Sequence, residues 1–185
     1  MMRLILVCLI SSVFSVSGAS AQGFVDEARV GLYAQSCCGF GSSKEDGVAI
    51  NAELLFPSPR FLSVLGAPRP LIGGTLATDS GATDQVYTGL EWKLNVTPKW
   101  FVAVSPGITI HNGETDTFNP VTDAARAATT VFYGCRALFR IAGDVGYRLT
   151  DRLSASFHWN HISNAGLCTD NEGLDQIGAR LGVSF

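Results

Sequence analysis

Beyond the first two dozen residues, apolar and polar side chains alternate in short runs. Val48, Ile50, Ala52, Leu54 and Phe56 oppose Ala49, Asn51, Glu53 and Leu55, while Val86, Thr88, Leu90, Trp92 and Leu94 oppose Tyr87, Gly89, Glu91 and Lys93. Farther on, Ala137, Phe139, Ile141, Val145, Tyr147 and Leu149 oppose Arg136, Arg140, Asp144 and Arg148. A period of two is that of a strand with one apolar face. It predicts eight strands, approximately Ala28 to Ser36, Gly47 to Phe56, Leu71 to Thr78, Asp84 to Leu94, Trp100 to His111, Tyr133 to Leu149, Arg152 to Ile162 and Leu174 to Phe185. The segment Pro57 to Pro70 is long for a turn and fits neither a strand nor a tight connection.

Alternation alone does not say whether the apolar faces point inward, as in a soluble sandwich, or outward into lipid. Residues 1–21 have a basic start at Arg3, an apolar run from Leu4 to Ile10 and Ala19-Ser20-Ala21 before Gln22. This is the form of a cleaved secretory signal, and its apolar core is too short to span a bilayer. Phe185 closes an alternating last strand, and Trp92, Trp100, Tyr147 and Trp159 fall toward strand ends, as an interfacial girdle requires. Mean hydropathy is +0.23 with 16% charged residues, high for a turn-rich soluble domain. Residues 22–185 are therefore expected to form one all-β domain, an eight-stranded antiparallel transmembrane β-barrel of the outer-membrane type. Closure leaves no unpaired edge in lipid. Glu53, Glu91, Lys93, Arg136, Arg140, Asp144, Arg148 and Arg180 would fill a narrow lumen as ion pairs, a packed interior and not a pore. The formal charge is −3, or −4 without Arg3, which gives nucleic acid no purchase as a partner.

Candidate chemistry lies near the end of the chain. In His158-Trp159-Asn160-His161-Ile162-Ser163, parity puts Phe157, Trp159, His161 and Ser163 on one face. A His and a Ser two apart on a strand are same-face neighbours, close enough for a base-activated nucleophile. Such a pair at a strand end commonly does no more than hydrogen-bond locally. Here it interrupts a face otherwise given to apolar residues, where polar groups are costly unless paired. If the last strand folds back so that Trp159 meets Ile177 and Phe157 meets Ala179, His161 comes opposite Asp175, while Glu172 has the wrong parity.

His161-x-Ser163-Asn164-Ala165-Gly166, then Asn171-x-Gly173-x-Asp175, then a glycine-spaced strand ending at Phe185, resembles the PagL-type lipid A 3-O-deacylases of Gram-negative outer membranes. The segment Tyr133-Gly134-Cys135-Arg136-Ala137-Leu138-Phe139-Arg140, continuing to Gly146-Tyr147-Arg148, is also similar to the strand that precedes the motif in that family. The resemblance covers about the last third of the chain. It implies Ser163 as nucleophile, His161 as general base and Asp175 as orienting acid, with Asn164, Gly166 and Asn171 at positions that form or support the oxyanion hole. The family carries Glu where this chain has the shorter Asp175. The implied substrate is lipid A of lipopolysaccharide in the outer leaflet, cleaved at an acyl ester with no cofactor by a membrane-embedded enzyme. Whether it forms a homodimer is left open.

Counting strands outward from a periplasmic start puts Cys37 to Asp46, Asp79 to Thr83, Asn112 to Phe132 and Ser163 to Gly173 outside, with short turns at Asn95 to Lys99 and Thr150-Asp151. Cys37, Cys38, Cys135 and Cys168 then gather at the outer end, where adjacent Cys37 and Cys38 are each expected to bridge to Cys135 or Cys168. They lack the spacing of a zinc motif. His111 and His158 read as ordinary, His158 pointing inward, and Glu114, Asp116 and Asp123 as a solvated acidic loop. Two competing readings remain. A non-enzymatic structural or adhesive barrel would favour longer outer loops, and an acyltransferase would turn its polar residues toward an interior acyl pocket.

Overall fold

The computed structural model describes residues 23–37 and 39–185. The expected signal segment lies outside the described residues, as does Cys38. Eight strands, β1 (Glu27–Gln35), β2 (Val48–Leu55), β3 (Arg69–Ala77), β4 (Gln85–Asn95), β5 (Trp100–His111), β6 (Ala137–Arg148), β7 (Leu153–Ser163) and β8 (Leu174–Ser184), pair antiparallel with their sequence neighbours. β1 also pairs β8, which closes the barrel.

The apolar faces point outward. Leu32 is 60% exposed and Phe157 54%, while Arg180 is 2% exposed and Glu91 1%. The interior is polar and layered along the axis. At the short-turn end, Arg29 joins Glu27, Glu53 and Glu91, and Arg69 bridges Asp26, Glu27 and Glu91. Midway, Arg180 spans Glu53 (2.9 Å) and Asp144 (2.5 Å). Above these, Gln176 accepts from Gln85 (2.8 Å) and Asn160 (2.7 Å) and donates to Gln35. At the loop end, Glu45 accepts from Thr83 and from the Tyr133 hydroxyl, whose own pKa burial pushes well above its ordinary value. Val131, Tyr133, Leu138, Ile162 and Leu174 form an apolar plug beside that layer. Every layer is filled, so the lumen is packed as eight strands predict. Glycine makes room for the interior rings: a Cβ at Gly73 would lie 2.5 Å from the Tyr87 ring.

Two expectations need correcting, and a third segment, unassigned by the strand pattern, takes shape. Arg136 and Arg148 are not lumen ions. Arg136 donates to His111 O, Gly113 O and Thr115 Oγ1 in the outer loops, and Arg148 donates to Pro98 O and Asn95 Oδ1 at the short-turn end. The interior cations missed by the strand pattern are Arg29 and Arg69, each close to the start of a strand. Second, β6 begins at Ala137 and not Tyr133, because Gly134 takes a positive φ (71°) and Tyr133 turns into the plug. Third, Pro57 to Pro70 contains a 3-10 helix, Arg60–Leu65, whose last carbonyl accepts from Trp92 Nε1 at 2.7 Å.

Candidate active site

The β7–β8 ladder sets the site. Trp159 pairs with Ile177, Phe157 with Ala179 and His161 with Asp175, the register that parity predicts. A slip of one residue would turn all of these side chains over. On the outer wall, His161 Nδ1 lies 2.7 Å from Asp175 Oδ1, and His161 Nε2 lies 3.1 Å from Ser163 Oγ. Both ring nitrogens are thus engaged, one by an acid and one by a hydroxyl, the arrangement that activates a serine. Asp175 is 0% exposed, while the His161 side chain keeps 18% of its surface open. The imidazole runs nearly parallel to the Trp159 indole (centroids 6.3 Å, 15°), and Phe40 meets Trp159 edge-on at 5.9 Å. Asp175 is one methylene shorter than a glutamate and still reaches the ring.

The turn after Ser163 is built on Asn164. Leu167 N donates to Asn164 O at 3.1 Å, and the central residues Ala165 (φ 55°) and Gly166 (φ 79°) are both left-handed, as a type I′ turn demands. A non-glycine residue in that region stores strain, and such residues gather at functional sites. Gly166 N donates to Asn164 Oδ1 (2.8 Å), and the Asn164 amide donates to Tyr133 O (2.7 Å) and to Asp170 O. Asn164 N in turn donates to Asn171 Oδ1 at 3.0 Å. The three support residues therefore form one bonded unit with Ser163 at its head. Within this unit the donors of Asn164 and Gly166 are already taken, those of Asn164 by Tyr133, Asp170 and Asn171 and that of Gly166 by Asn164. Among the described residues, the Ala165 N–H and the Asn171 Nδ2 amide make no hydrogen bond.

Cys135 and Cys168 bridge each other, fastening the β7–β8 connection to the segment before β6. The expected bridges from Cys37 and Cys38 to those two residues are therefore not formed. Both bridged residues flank segments already joined by the Asn164 amide on Tyr133 O, which brings Cys135 and Cys168 together. His111 accepts from Gly113 N at 3.1 Å and its Nε2 meets Cys135 O at 2.7 Å; His158 lies inside, 3.1 Å from Asp144. Glu114 and Asp123 pair with Arg126. Sequence reasoning missed the approach of Phe40 and Gly41, whose amides both donate to Asp175 Oδ2 at 2.7 Å. The signal was Gly39-Phe40-Gly41, alternate glycines in a connection with no strand period of its own.

A family model described as lipid A 3-O-deacylase (PagL) matches residues 73–184, upstream well beyond the last third. The crystal structure of the outer membrane enzyme PagL superposes with a TM-score of 0.61 at 14% identity, covering 86% of this chain and 99% of that one. Neisserial surface protein A aligns with a TM-score of 0.55 at 11% identity over 88% of this chain and 98% of its own. The N-terminal β-barrel domain of Pseudomonas aeruginosa OprF gives 0.51 at 9% identity, over 87% and 98%. At these identities the structural likenesses speak for the barrel fold. A search of curated protein sequences finds no match.

Proposed function

The chain belongs to the lipid A 3-O-deacylase (PagL) family, and from that premise we propose that it cleaves an acyl ester of lipid A as a serine hydrolase with Ser163 as nucleophile, His161 as base and Asp175 as orienting acid. It is an outer-membrane β-barrel of a Gram-negative bacterium. The observation that carries the mechanism is the continuous chain Asp175 Oδ1, His161 Nδ1, His161 Nε2, Ser163 Oγ at 2.7 and 3.1 Å on the lipid-facing wall. With the loop end outward, this face lies at the depth of the outer leaflet, whose lipid is lipopolysaccharide. The substrate enters sideways from the membrane.

His161 Nε2 takes the Ser163 proton as Oγ attacks the ester carbonyl, and Asp175 holds the imidazole tautomer and stabilises the imidazolium. The tetrahedral oxyanion is received by the donors left open at the turn, the Ala165 N–H and the Asn171 amide, with Asn164 and Gly166 fixing their positions. One such donor is worth about 10²–10³ in rate. Collapse breaks the bond to the sugar oxygen, which takes the proton from His161 Nε2. Water, deprotonated by the same nitrogen, then attacks the acyl-serine, releasing the fatty acid and restoring Ser163. Residues 1–21 act as the export signal and are removed, so the mature chain starts at Gln22.

Mass spectrometry of lipid A from cells expressing the chain tests this. Loss of one acyl mass, abolished in Ser163→Ala and His161→Asn variants that still fold, is the expected result. An unchanged acyl pattern with the intact chain, or continued deacylation by either variant, would overturn the assignment. A gain in mass would indicate acyl transfer.

A further inference from the structure

The connection between β1 and β2 runs as a strap alongside the start of β8. Cys37 N donates to Asp175 O at 3.3 Å, Ser42 N donates to Gly173 O at 2.6 Å, and Ser42 bridges Leu174 in the parallel sense. Between these anchors the Phe40 and Gly41 amides both point at Asp175 Oδ2, each at 2.7 Å. The other carboxylate oxygen meets the imidazole. Asp175 therefore has three donors on two oxygens, in a position with no solvent exposure.

We propose that this strap, with Gly41 at its closest approach, is a positioning element of the catalytic site, shaped to hold an aspartate at residue 175 and to exclude a longer acid. The inference rests on the Ser163–His161–Asp175 reading. Its first support is steric. A Cβ at Gly41 would lie 2.8 Å from both Asp175 N and Gly173 O, which are backbone atoms at and just before the start of the final strand and cannot swing aside. A Cβ at Gly173 would lie 2.8 Å from His161 Cε1. Glycines thus stand where strap, strand and imidazole converge. The second support is electrostatic. A buried carboxylate beside lipid is costly unless its lone pairs are used, and hydrogen bonds to an ionised acceptor are stronger than neutral ones. The two amides occupy Oδ2, leaving Oδ1 as the oxygen that meets the ring. A further methylene would drive the acid's oxygens into amides already at hydrogen-bond contact. Phe40, itself 79% exposed, sits on the same strap with its ring edge-on to Trp159, whose indole runs nearly parallel to the His161 imidazole. Acid and indole are both held from this one segment.

The test compares Gly41→Ala, Asp175→Glu, the double variant and Asp175→Ala. Each is made in the full chain, folded in detergent and assayed on purified lipid A. Folding is monitored by heat-modifiable electrophoretic mobility. Gly41→Ala should lower kcat by about 10²-fold, the scale of a 1 Å misplacement, with KM unchanged, and should move the downfield proton resonance of the His161 ring N–H. Asp175→Glu with the strap intact should also lower kcat. Because both changes break one fit, the double variant should lose no more than the worse single. A folded Gly41→Ala variant with normal kcat, an Asp175→Glu variant with normal kcat, or losses that multiply in the double variant would each overturn the proposal. If Gly41→Ala fails to fold, Asp175→Glu alone still decides. Full activity in Asp175→Ala would sink the triad reading and the strap with it, whereas an inactive Asp175→Ala beside a normal Gly41→Ala sinks only the strap.

Discussion

β7 carries two histidines three residues apart, on opposite faces of one wall, each paired with an aspartate of a neighbouring strand. Inside, His158 lies 3.1 Å from Asp144; outside, His161 lies 2.7 Å from Asp175. The inner carboxylate is also bound by Arg180 and by the Ser156 hydroxyl, and the inner imidazole presents a buried Nε2 with no partner among the described residues. The outer carboxylate takes two strap amides, and the outer Nε2 faces a serine hydroxyl at a partly open surface. A His–Asp pair is therefore not a site by itself. What separates the two is the group at the second ring nitrogen and its exposure: the inner pair closes a packed ion network, while the outer pair ends on a serine hydroxyl, the proposed nucleophile, at a partly open surface.

The sharpest way to break this contrast is to remove the two histidines in turn. His161→Asn or Ser163→Ala should cost roughly 10⁶ in kcat, the scale of losing a nucleophile or its base. His158→Gln should leave deacylation of lipid A within a few-fold, measured by release of fatty acid. A dead His158→Gln enzyme that still folds would erase the distinction. The acids come next. Asp175→Asn should cost on the order of 10⁴ in kcat by favouring the wrong tautomer, with little change in unfolding by urea, whereas Asp144→Asn should do the reverse. Arg180→Met then tests the inner network directly. Stripping one partner from buried ions costs about 3–5 kcal/mol, so losing this cation, with Glu53 left to Arg29 and Asp144 to His158 and Ser156, should lower the urea midpoint while the outer site is unaffected.

Smaller effects come from the loop end. The Cys135–Cys168 bridge closes a segment of separation 33, for which the chain-entropy limit is about 3–4 kcal/mol. The measured loss on Cys168→Ser should fall below that, because Asn164 already ties its turn to Tyr133 and Asp170. The smallest effect is at Glu114, whose pKa is held below its ordinary value by the Asp116 N–H, the Arg126 guanidinium and the Thr115 N–H. A carboxylate lowered in the folded state stabilises above its unfolded pKa and loses that contribution as pH falls. The pair is largely solvent-screened, so the change should be slight. Amide hydrogen exchange in residues 112–132 should therefore quicken modestly, relative to its intrinsic rate, as pH drops below the carboxylate range.

Strand parity was legible from the sequence because it is local: each residue's face follows from its neighbours two away. The same rule placed His161, Ser163 and Asp175 together, since a hairpin register propagates from one correct pairing along the ladder. Parity failed where strands end or bend. Tyr133 to Arg136 carry a strand-like pattern, yet a left-handed Gly134 and the apolar plug pull them out of the barrel. Arg69 went unassigned because it lies ahead of the expected third strand, and Arg29 because its contact with Glu91, three strands away, appears only in the closed wall.

The sequence alone determined the barrel, the outward sense of its apolar faces and the register that sets a histidine opposite an acid, because all three follow from short-range periodicity and a chemical choice of solvent. Only the tertiary structure decided what holds that acid and what braces the turn after Ser163. The amides on Asp175 Oδ2 come from residues 134 and 135 positions away in the chain, and the disulfide joins two loops that no strand period connects. The disulfide follows from the β6–β7–β8 pairing, whereas the strap amides reach Asp175 only when closure brings β1 against β8. That closing pair is a property of the whole wall and of no single stretch of it.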